Sequence, residues 1–223
     1  MVRFGIVGRQ DAREAYQWHR GFAANYEFIF PRAWQEYESL VVDRQIWCAR
    51  NENGDFLASA YFAFDEEKWE IGGVMVAKPE RGKGIAGVLA RLTLAHVLVM
   101  ETPLKRGHSI VAHIHAENQE PRALFTQSLK FQMPAEPQEF PGELLPGLKK
   151  NDRGNVEGFE LAFTIPGTLN ALVEWFNSWN LRLKDGREAH VELPEDSTLA
   201  MWSNALRDIA EGLKPSPVLR RIR

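Results

Sequence analysis

Residues 69–101, WEIGGVMVAKPERGKGIAGVLARLTLAHVLVME, contain the signals of a strand, a glycine-rich turn and a helix in direct succession. Residues 71–76 include several β-branched side chains, which favour a strand. From residue 85 onward, apolar side chains recur mostly at helical spacing. The basic, glycine-rich turn at residues 81–87 therefore lies where a helix begins. Because a helix start exposes free N–H groups and the positive end of its dipole, the stretch predicts an anion-binding site.

The strand of this stretch is the last of three that follow one another closely. Strands are predicted at residues 45–50, 56–64 and 69–76, with turns at residues 51–55 and 65–68. Because short turns can join only antiparallel neighbours, these strands form an antiparallel meander. Gly72 and Gly73 lie inside the third strand. Glycines in a strand often mark a bulge or the close approach of a ligand, so we expect one of the two here.

The remaining pattern up to residue 165 adds strands and helices around this unit. Strands are predicted at residues 3–7, 109–116, 131–133 and 156–165, helices at residues 10–24 and after Asn118, and loops at residues 103–107 and 134–155. Together these elements predict an α/β (α+β) fold class. Its sheet would be mixed but mostly antiparallel, with helices on both sides.

A change of composition divides the chain at Pro166 and Gly167. We predict one domain over residues 1–166 and a helical C-terminal extension over residues 167–223. The extension is predicted to form two helices, at residues 168–180 and 197–213. Its large apolar side chains are Trp175, Phe176, Trp179 and Trp202. Because side chains of this size are rarely left in water as a group, we expect the extension to pack on the domain.

Two common phosphate-binding motifs do not fit the turn. A Walker A loop needs a hydroxyl directly after its lysine, whereas Gly84 follows Lys83. Gly82, Gly84 and Gly87 do have the G-x-G-x-x-G spacing of dinucleotide-binding folds. That motif, however, directly follows a strand of a parallel βαβ unit, whereas the preceding strand here ends an antiparallel meander.

A third pattern, [Q/R]-x-x-G-x-[G/A], is met by Arg81, Gly84 and Ala86. Given this motif, the order of elements over residues 3–165 and Asn118 at the start of the next helix, the sequence resembles the GNAT superfamily of N-acetyltransferases. The resemblance implies the GNAT fold, in which strands four and five splay apart. It also implies that acetyl-CoA, the cosubstrate, lies in the gap between them.

The resemblance further implies which residues hold the coenzyme. Its pantetheine arm would pair with the backbone of residues 74–76, and its diphosphate would lie on the turn. The predicted coenzyme-binding residues are Val74, Met75, Val76, Arg81, Gly82, Lys83, Gly84, Ile85, Ala86, Gly87, Asn118 and Phe125. For the side chains of Arg81 and Lys83, a solvated surface charge is an open alternative, because such a turn binds mainly through its main chain.

Acetyl transfer to an amine requires a base, because a lysine-like amine with a pKa of about 10.4 is protonated at neutral pH. His113 is the first candidate, since a pKa near 6.5 suits the task. It precedes Asn118 by five residues, the spacing at which some ribosomal-protein acetyltransferases of the family carry a glutamate base. Glu70, on the strand before the turn, is the second candidate. Purely structural roles for both side chains stay open.

Phe125 occupies the position, seven residues after Asn118, at which the family commonly has a general-acid tyrosine. A phenylalanine has no proton to donate. Two functions therefore stay open. The first is an N-acetyltransferase that works by direct attack of a primary amine. The second is a non-catalytic acyl-CoA-binding or protein-interaction module of GNAT fold, which the tryptophan-rich extension also favours.

Composition excludes several other classes of protein. A formal net charge of −3 argues against general nucleic-acid binding, and no apolar run approaches the ~20 residues that span a bilayer. The single Cys48 and the absence of a signal-like segment after Met1 predict a cytoplasmic protein.

No metal is predicted, because the possible ligands His113, His115 and Glu117 alternate along one strand about 6.6 Å apart. The predicted partner is an amine acceptor of unknown identity, with no nucleic acid and no membrane. Acidic residues near Glu70 mildly favour a cationic amine, although a solvated turn is the preferred interpretation of them. A homodimer is left open.

Overall fold

The structure is a computed structural model that describes residues 1–65, 67–165, 167–194 and 196–212. The strands are β1 (Val2–Ile6), β2 (Ile46–Arg50), β3 (Phe56–Asp65), β4 (Lys68–Val76), β5 (Ser109–His115), β6 (Gln138–Pro141), β7 (Asn155–Ala162) and β8 (Ala189–Val191). The helices are α1 (Ala12–Ala23), α2 (Trp34–Val42), α3 (Ile85–His96), α4 (Pro103–Arg106), α5 (Gln119–Ala123), α6 (Gly167–Ser178) and α7 (Leu199–Ala210). Wider helical turns extend α3 through residues 97–101 and α5 through residues 124–128.

All eight strands belong to one sheet, in the order β6-β7-β5-β4-β3-β2-β1-β8. Only the β4–β5 and β1–β8 pairs are parallel, and the other five neighbouring pairs are antiparallel. The β4–β5 pairing covers Lys68–Glu70 on β4 and Ser109–Val111 on β5, and no pairing between them follows. Beyond this point the two strands diverge, so the structure confirms the mixed sheet with splayed strands four and five.

A bulge interrupts β4 at the two adjacent glycines. Ser59 of β3 faces Met75, whereas Tyr61, two residues further along β3, faces Gly72, three residues earlier on β4. The extra residue lies at Gly73, whose φ of 56° is in the left-handed region that glycine adopts without strain. A Cβ at Gly73 would lie 2.3 Å from the Tyr61 ring. The bulge predicted from the sequence is thus confirmed, and both backbone conformation and space require glycine there.

Alternating side chains of the sheet face two separate cores. On one face, Ile46, Cys48 and Tyr61 pack with buried residues of α1 and α2. On the other face, Trp47 and Phe62 pack with α3, α6 and α7. Because successive side chains of a strand point in opposite directions, a continuous apolar run such as β2 serves both cores.

The helix that follows the turn lies deep in the second core. Nine of the twelve residues of α3 are buried, so the helix is apolar around most of its circumference. Leu89 and Leu92 are fully buried against the sheet. Truncating a leucine in such a site to alanine typically costs about 2–5 kcal/mol of stability. The turn at the start of α3 is therefore attached to a rigid element.

The chain after residue 166 packs on the same core. Strand β8 adds to the sheet edge beside β1, and α7 inserts Trp202 next to Trp47 and His96. Trp202 is fully buried. The Trp47 indole Nε1 donates a hydrogen bond of 3.1 Å to His96 Nδ1, which satisfies both buried groups. This segment therefore contributes to the main core and to the sheet.

Several predictions for individual elements need correction. The predicted loop over residues 134–155 contains β6, which pairs with β7. The predicted strand over residues 131–133 makes only one isolated bridge, from Gln132 to Ala162, because Phe131 packs inward against Phe125. Residues 103–106 form a helical turn rather than a loop. Strand β8 was not predicted, because three residues are too few to show a pattern.

Some predicted features fall outside the described residues. They are the domain boundary at Pro166, Glu66 in the second turn, and the chain from residue 213 onward. Within the described ranges, no helix combines the length and apolar character needed to cross a membrane.

Candidate active site

Three adjoining cavities follow the splay between β4 and β5. The first, which we call the turn cavity, has a volume of about 660 Å³ and is lined by Val74–Val76, the glycine turn and the start of α5. The second, which we call the chamber, has a volume of about 360 Å³ and is lined in part by Glu70, Gly72 and His113. A cavity of about 60 Å³ between the two strands shares lining residues with both. A molecule lying across β4 can therefore reach from the turn to the chamber.

The turn is built on two glycines with positive φ. Gly82 has a φ of 77° and Gly84 a φ of 94°, a region that other residues rarely adopt. A Cβ at Gly82 would meet open space, so conformation rather than crowding requires glycine there. Gly84 caps the start of α3. The first N–H groups of α3 have no acceptor within the helix and are available to an anion.

The two basic side chains of the turn have different roles. Arg81 Nε donates a hydrogen bond of 3.3 Å to the carbonyl oxygen of Val76, and its guanidinium lies 4.7 Å from the centre of the Tyr26 ring. Lys83 Nζ lies 3.1 Å from Glu80, which neutralises much of its charge. Arg81 therefore fixes the end of β4 to the turn, and the main chain supplies most of the anion-binding groups.

These residues fit the coenzyme that the resemblance implies. Beyond Glu70, β4 has no pairing with β5, so the backbone of Val74–Val76 can pair with an extended pantetheine arm. The turn offers free N–H groups to a diphosphate at the other end of the same cavity. Ile85 is buried beneath the turn, whereas Ala86 and Gly82 line the cavity directly.

Asn118 and Phe125 lie on the α5 side of the splay. Asn118 lines the turn cavity, and its backbone N–H donates to the carbonyl oxygen of His115. Phe125 lines the small cavity between β4 and β5 but is 1% exposed, and it packs edge-on against Phe131 at 5.2 Å. Phe125 therefore closes the inner end of the gap with an apolar ring.

The two predicted base residues are in contact. His113 Nδ1 lies 3.3 Å from Glu70 Oε2, and His113 Nε2 lies 3.1 Å from Glu160 Oε2. The hydrogen bond with Glu70 is the main cause that raises the pKa of His113, and Glu160 adds to it against the opposing effect of burial. A hydrogen bond from Lys68 lowers the pKa of Glu160, so that carboxylate is ionised beside His113.

The chamber next to this pair has apolar walls with a few polar groups. Its apolar lining comprises Phe28, Ile29, Phe30, Ile114, Phe140, Leu145, Leu148, Val156 and Phe159. Besides Glu70 and His113, Arg32 and Tyr61 line it, and the Arg32 guanidinium lies 4.3 Å from the centre of the Tyr61 ring. Enclosed apolar pockets with a few convergent polar groups are typical of small-molecule sites.

Sequence reasoning missed Glu160, Arg32 and Tyr61. Glu160 faces His113 across the β5–β7 pair, so its role depends on the register of two strands separated by a long connection. Its only signal in the sequence was that it is one of two glutamates, with Glu157, in a largely apolar closing strand. Arg32 precedes α2 and has no local pattern that points to the chamber. The metal hypothesis gains no support, since His115 and Glu117 are engaged with Lys149.

The mixed sheet with β4 and β5 splayed apart is the fold of the GNAT class of proteins. Residues 11–131, more than half of the chain, match the sequence model of the acetyltransferase (GNAT) family. The chain belongs to this family. Acetyl-CoA is the cosubstrate, as the family match and the structure with bound acetyl-CoA indicate. No match was found among curated proteins.

Solved structures share the fold at low sequence identity. The structure of yncA from Salmonella typhimurium with acetyl-CoA has a TM-score of 0.54 and 19% identity, over 74% of this chain and 94% of that one. Diaminobutyrate acetyltransferase EctA from Paenibacillus lautus, with L-2,4-diaminobutyric acid and coenzyme A, has a TM-score of 0.53 and 16% identity, over 75% and 99%. Ribosomal-protein-alanine N-acetyltransferase from Brucella melitensis has a TM-score of 0.52 and 19% identity, over 74% and 99%.

Proposed function

We propose that this protein is an N-acetyltransferase that moves an acetyl group from acetyl-CoA to a primary amine by direct attack. The observation that carries the proposal is the contact between Glu70 and His113 at the chamber end of the β4–β5 splay. Acetyl-CoA supplies an activated thioester when bound. The chain's own residues then have to position the two reactants and accept one proton.

The Glu70–His113 pair is the proposed base. Glu70 uses Oε2 for His113, and its Oε1 lies beside Gly72 at the bulge, 2.9 Å from the position that a Cβ of Gly72 would take. An ammonium group in the chamber would hydrogen-bond to this carboxylate and lose its proton to the pair. The raised pKa of His113 makes its imidazole a better proton acceptor than an ordinary histidine.

The reaction forms a bond between the amine nitrogen and the acetyl carbon and breaks the bond between that carbon and sulfur. The bulge at Gly73 interrupts the β3–β4 ladder, so backbone N–H groups there are available to stabilise the negative charge on oxygen. Phe125 offers no proton to the departing sulfur. Because a thiolate is a fairly good leaving group, we infer that it departs without a tyrosine acid.

The chamber favours an amine with an apolar body. Most of its wall is aromatic or aliphatic, and the carboxylates of Glu70 and Glu160 lie with His113 at one side. The solved structures do not narrow this class, because the names of two of them refer to a free diamino acid and to a ribosomal protein.

The proposal is tested by measuring CoA release with acetyl-CoA and a panel of alkyl amines, arylalkyl amines, amino acids and peptide N-termini. Mass spectrometry of each mixture identifies an acetylated product. We expect turnover with at least one amine that carries an apolar group. Tight binding of acetyl-CoA without turnover on any amine would instead support the non-catalytic acyl-CoA-binding module, for which the buried Phe125 is the motivating observation.

A further inference from the structure

A fourth cavity adjoins the turn on the side away from the chamber. It has a volume of about 490 Å³ and shares Val76, Gly82 and Ala86 with the turn cavity. One wall comes from α3 and from the helical turns after α5. The opposite wall comes from the C-terminal segment and comprises Trp175, Trp179, Arg182, Leu183 and Lys184. This cavity therefore begins where a diphosphate on the turn would end.

The C-terminal wall presents a flat aromatic surface. The rings of Trp175 and Trp179 are stacked, with centroids 4.5 Å apart and planes 21° apart. Both side chains pack on the core, as the sequence predicts, but each stays partly exposed. A partly open pair of stacked indoles suits a flat heteroaromatic ring, because every nucleobase has a π face.

Positive charge surrounds the same cavity. Arg91 lies 5.3 Å from the centre of the Trp175 ring, and its guanidinium donates to the main-chain carbonyl oxygens of Gly87 and Ser128 rather than to a carboxylate. The stem of Lys184 lies over the turn, since a Cβ at Gly84 would be 3.1 Å from its Cγ. Arg182 is exposed; its guanidinium donates to the main-chain carbonyl oxygen of Gly186 at 3.2 Å and contacts a carboxylate of Glu188 at 3.5 Å.

The acidic groups near this wall are already compensated. Glu80 lies within salt-bridge distance of both Lys83 and Arg187, and Asp185 pairs with Arg187. The cavity therefore has a net positive environment. A phosphate monoester, with two negative charges and three acceptor oxygens, matches such a cluster of arginine and lysine.

We propose that the C-terminal segment forms a binding site for the adenosine 3′-phosphate end of the coenzyme. The Trp175–Trp179 pair stacks on the adenine ring, and Arg182 and Lys184, with Arg91, bind the 3′-phosphate. The proposal rests on coenzyme binding at the turn but does not require that acetyl transfer occurs. With this site, the C-terminal segment would make the protein bind CoA more tightly than shorter thiols that carry only the pantetheine arm.

The test compares the binding of CoA and 3′-dephospho-CoA by titration calorimetry, without any acceptor amine. We expect the wild-type protein to bind CoA about tenfold more tightly, which corresponds to about 1.4 kcal/mol. The double variant R182A/K184A, in which Arg91 alone remains beside the phosphate, should lose most of this preference, with the affinity for 3′-dephospho-CoA unchanged. As a matched control, R153A removes an exposed arginine elsewhere, paired with Glu139, and should keep the tenfold preference.

A second measurement follows the indole pair. Quenching of tryptophan fluorescence by CoA should fall in W175F and in W179F, and acetyl-pantetheine should quench little in any variant. Equal affinity of the wild-type protein for CoA and 3′-dephospho-CoA would overturn the proposal. So would a parallel loss of both affinities in R182A/K184A with a lowered melting temperature. Absence of turnover with intact discrimination between the two ligands would count only against the N-acetyltransferase function.

Discussion

Nδ1 of His113 lies 3.3 Å from Oε2 of Glu70, and this contact joins two strands that separate directly beyond it. Glu70 is the last residue of β4 that pairs with β5, and His113 is two residues past the corresponding end on β5. The contact therefore lies at the point where the sheet opens. A base at this point faces the chamber on one side and the path of a thioester on the other.

The first prediction concerns the pH dependence set by Glu160. Its ionised carboxylate helps to raise the pKa of His113, so E160Q should lower that pKa towards the ordinary value of about 6.5. The acidic limb of a plot of kcat/KM against pH should then move to lower pH in E160Q. Glutamine keeps an oxygen that can accept from Lys68.

The matched control for this prediction is E139Q. Glu139, on β6, is also a carboxylate paired with a cation, but its partner is Arg153 in the connection before β7. Its removal should leave the acidic limb in place. A limb that stays fixed in E160Q, or that moves equally in E139Q, would show that His113 does not carry the titrating proton.

The second prediction concerns the missing acid at Phe125. The F125Y substitution adds a hydroxyl group beside the small cavity between β4 and β5. We expect kcat to rise severalfold, up to roughly tenfold, because a tyrosine there can protonate the departing sulfur. The affinity for coenzyme should be unchanged.

The control is F131Y, which makes the same chemical change on the ring that packs against Phe125. It should give no gain in kcat. An unchanged or lower kcat in F125Y, in a protein whose melting temperature matches the wild type, would mean that departure of the thiolate does not limit the rate.

The third prediction concerns the stability of the second core in acid. Burial lowers the pKa of His96 to about 3, whereas the unfolded chain binds that proton near pH 6.5. Between these values the unfolded state holds one more proton. The free energy of unfolding should therefore fall as the pH falls from 6.5 towards 3, by about 1.4 kcal/mol per pH unit from His96 alone.

The H96N variant tests this effect, because asparagine keeps an oxygen near the position of Nδ1 that can accept from the Trp47 indole. Urea unfolding at a series of pH values between 6.5 and 4 should show a slope smaller by about one proton. The H190N variant, at an exposed position on β8, should keep the wild-type slope. Equal slopes in H96N and the wild type would contradict a neutral, buried His96.

Local chemistry explains which parts of the fold the sequence could predict. Glycine is unfavourable inside a strand, and several glycines directly before a helix are unusual. Few physical explanations therefore account for Gly72 and Gly73 in the strand, or for Gly82 and Gly84 before the helix. They predicted the bulge and the turn that the structure contains. The meander followed from the shortness of its turns.

The parts that could not be predicted depend on long-range packing. Glu160 meets His113 only through the β5–β7 register, and Arg32 reaches the chamber only through the packing of the segment before α2. Trp175 and Trp179 pack on the core as expected, but they also line a cavity next to the turn. No pattern in residues 168–180 distinguishes a tryptophan that only packs from one that also lines a cavity.

The central claim is that Glu70, with His113, removes the proton of the attacking amine. The most direct test measures kcat and the dissociation constant of acetyl-CoA in E70Q, which keeps the shape of the side chain but removes its charge. We expect E70Q to lose kcat by about 10²–10⁴-fold with an unchanged dissociation constant. A kcat within a factor of two of the wild type would contradict the claim.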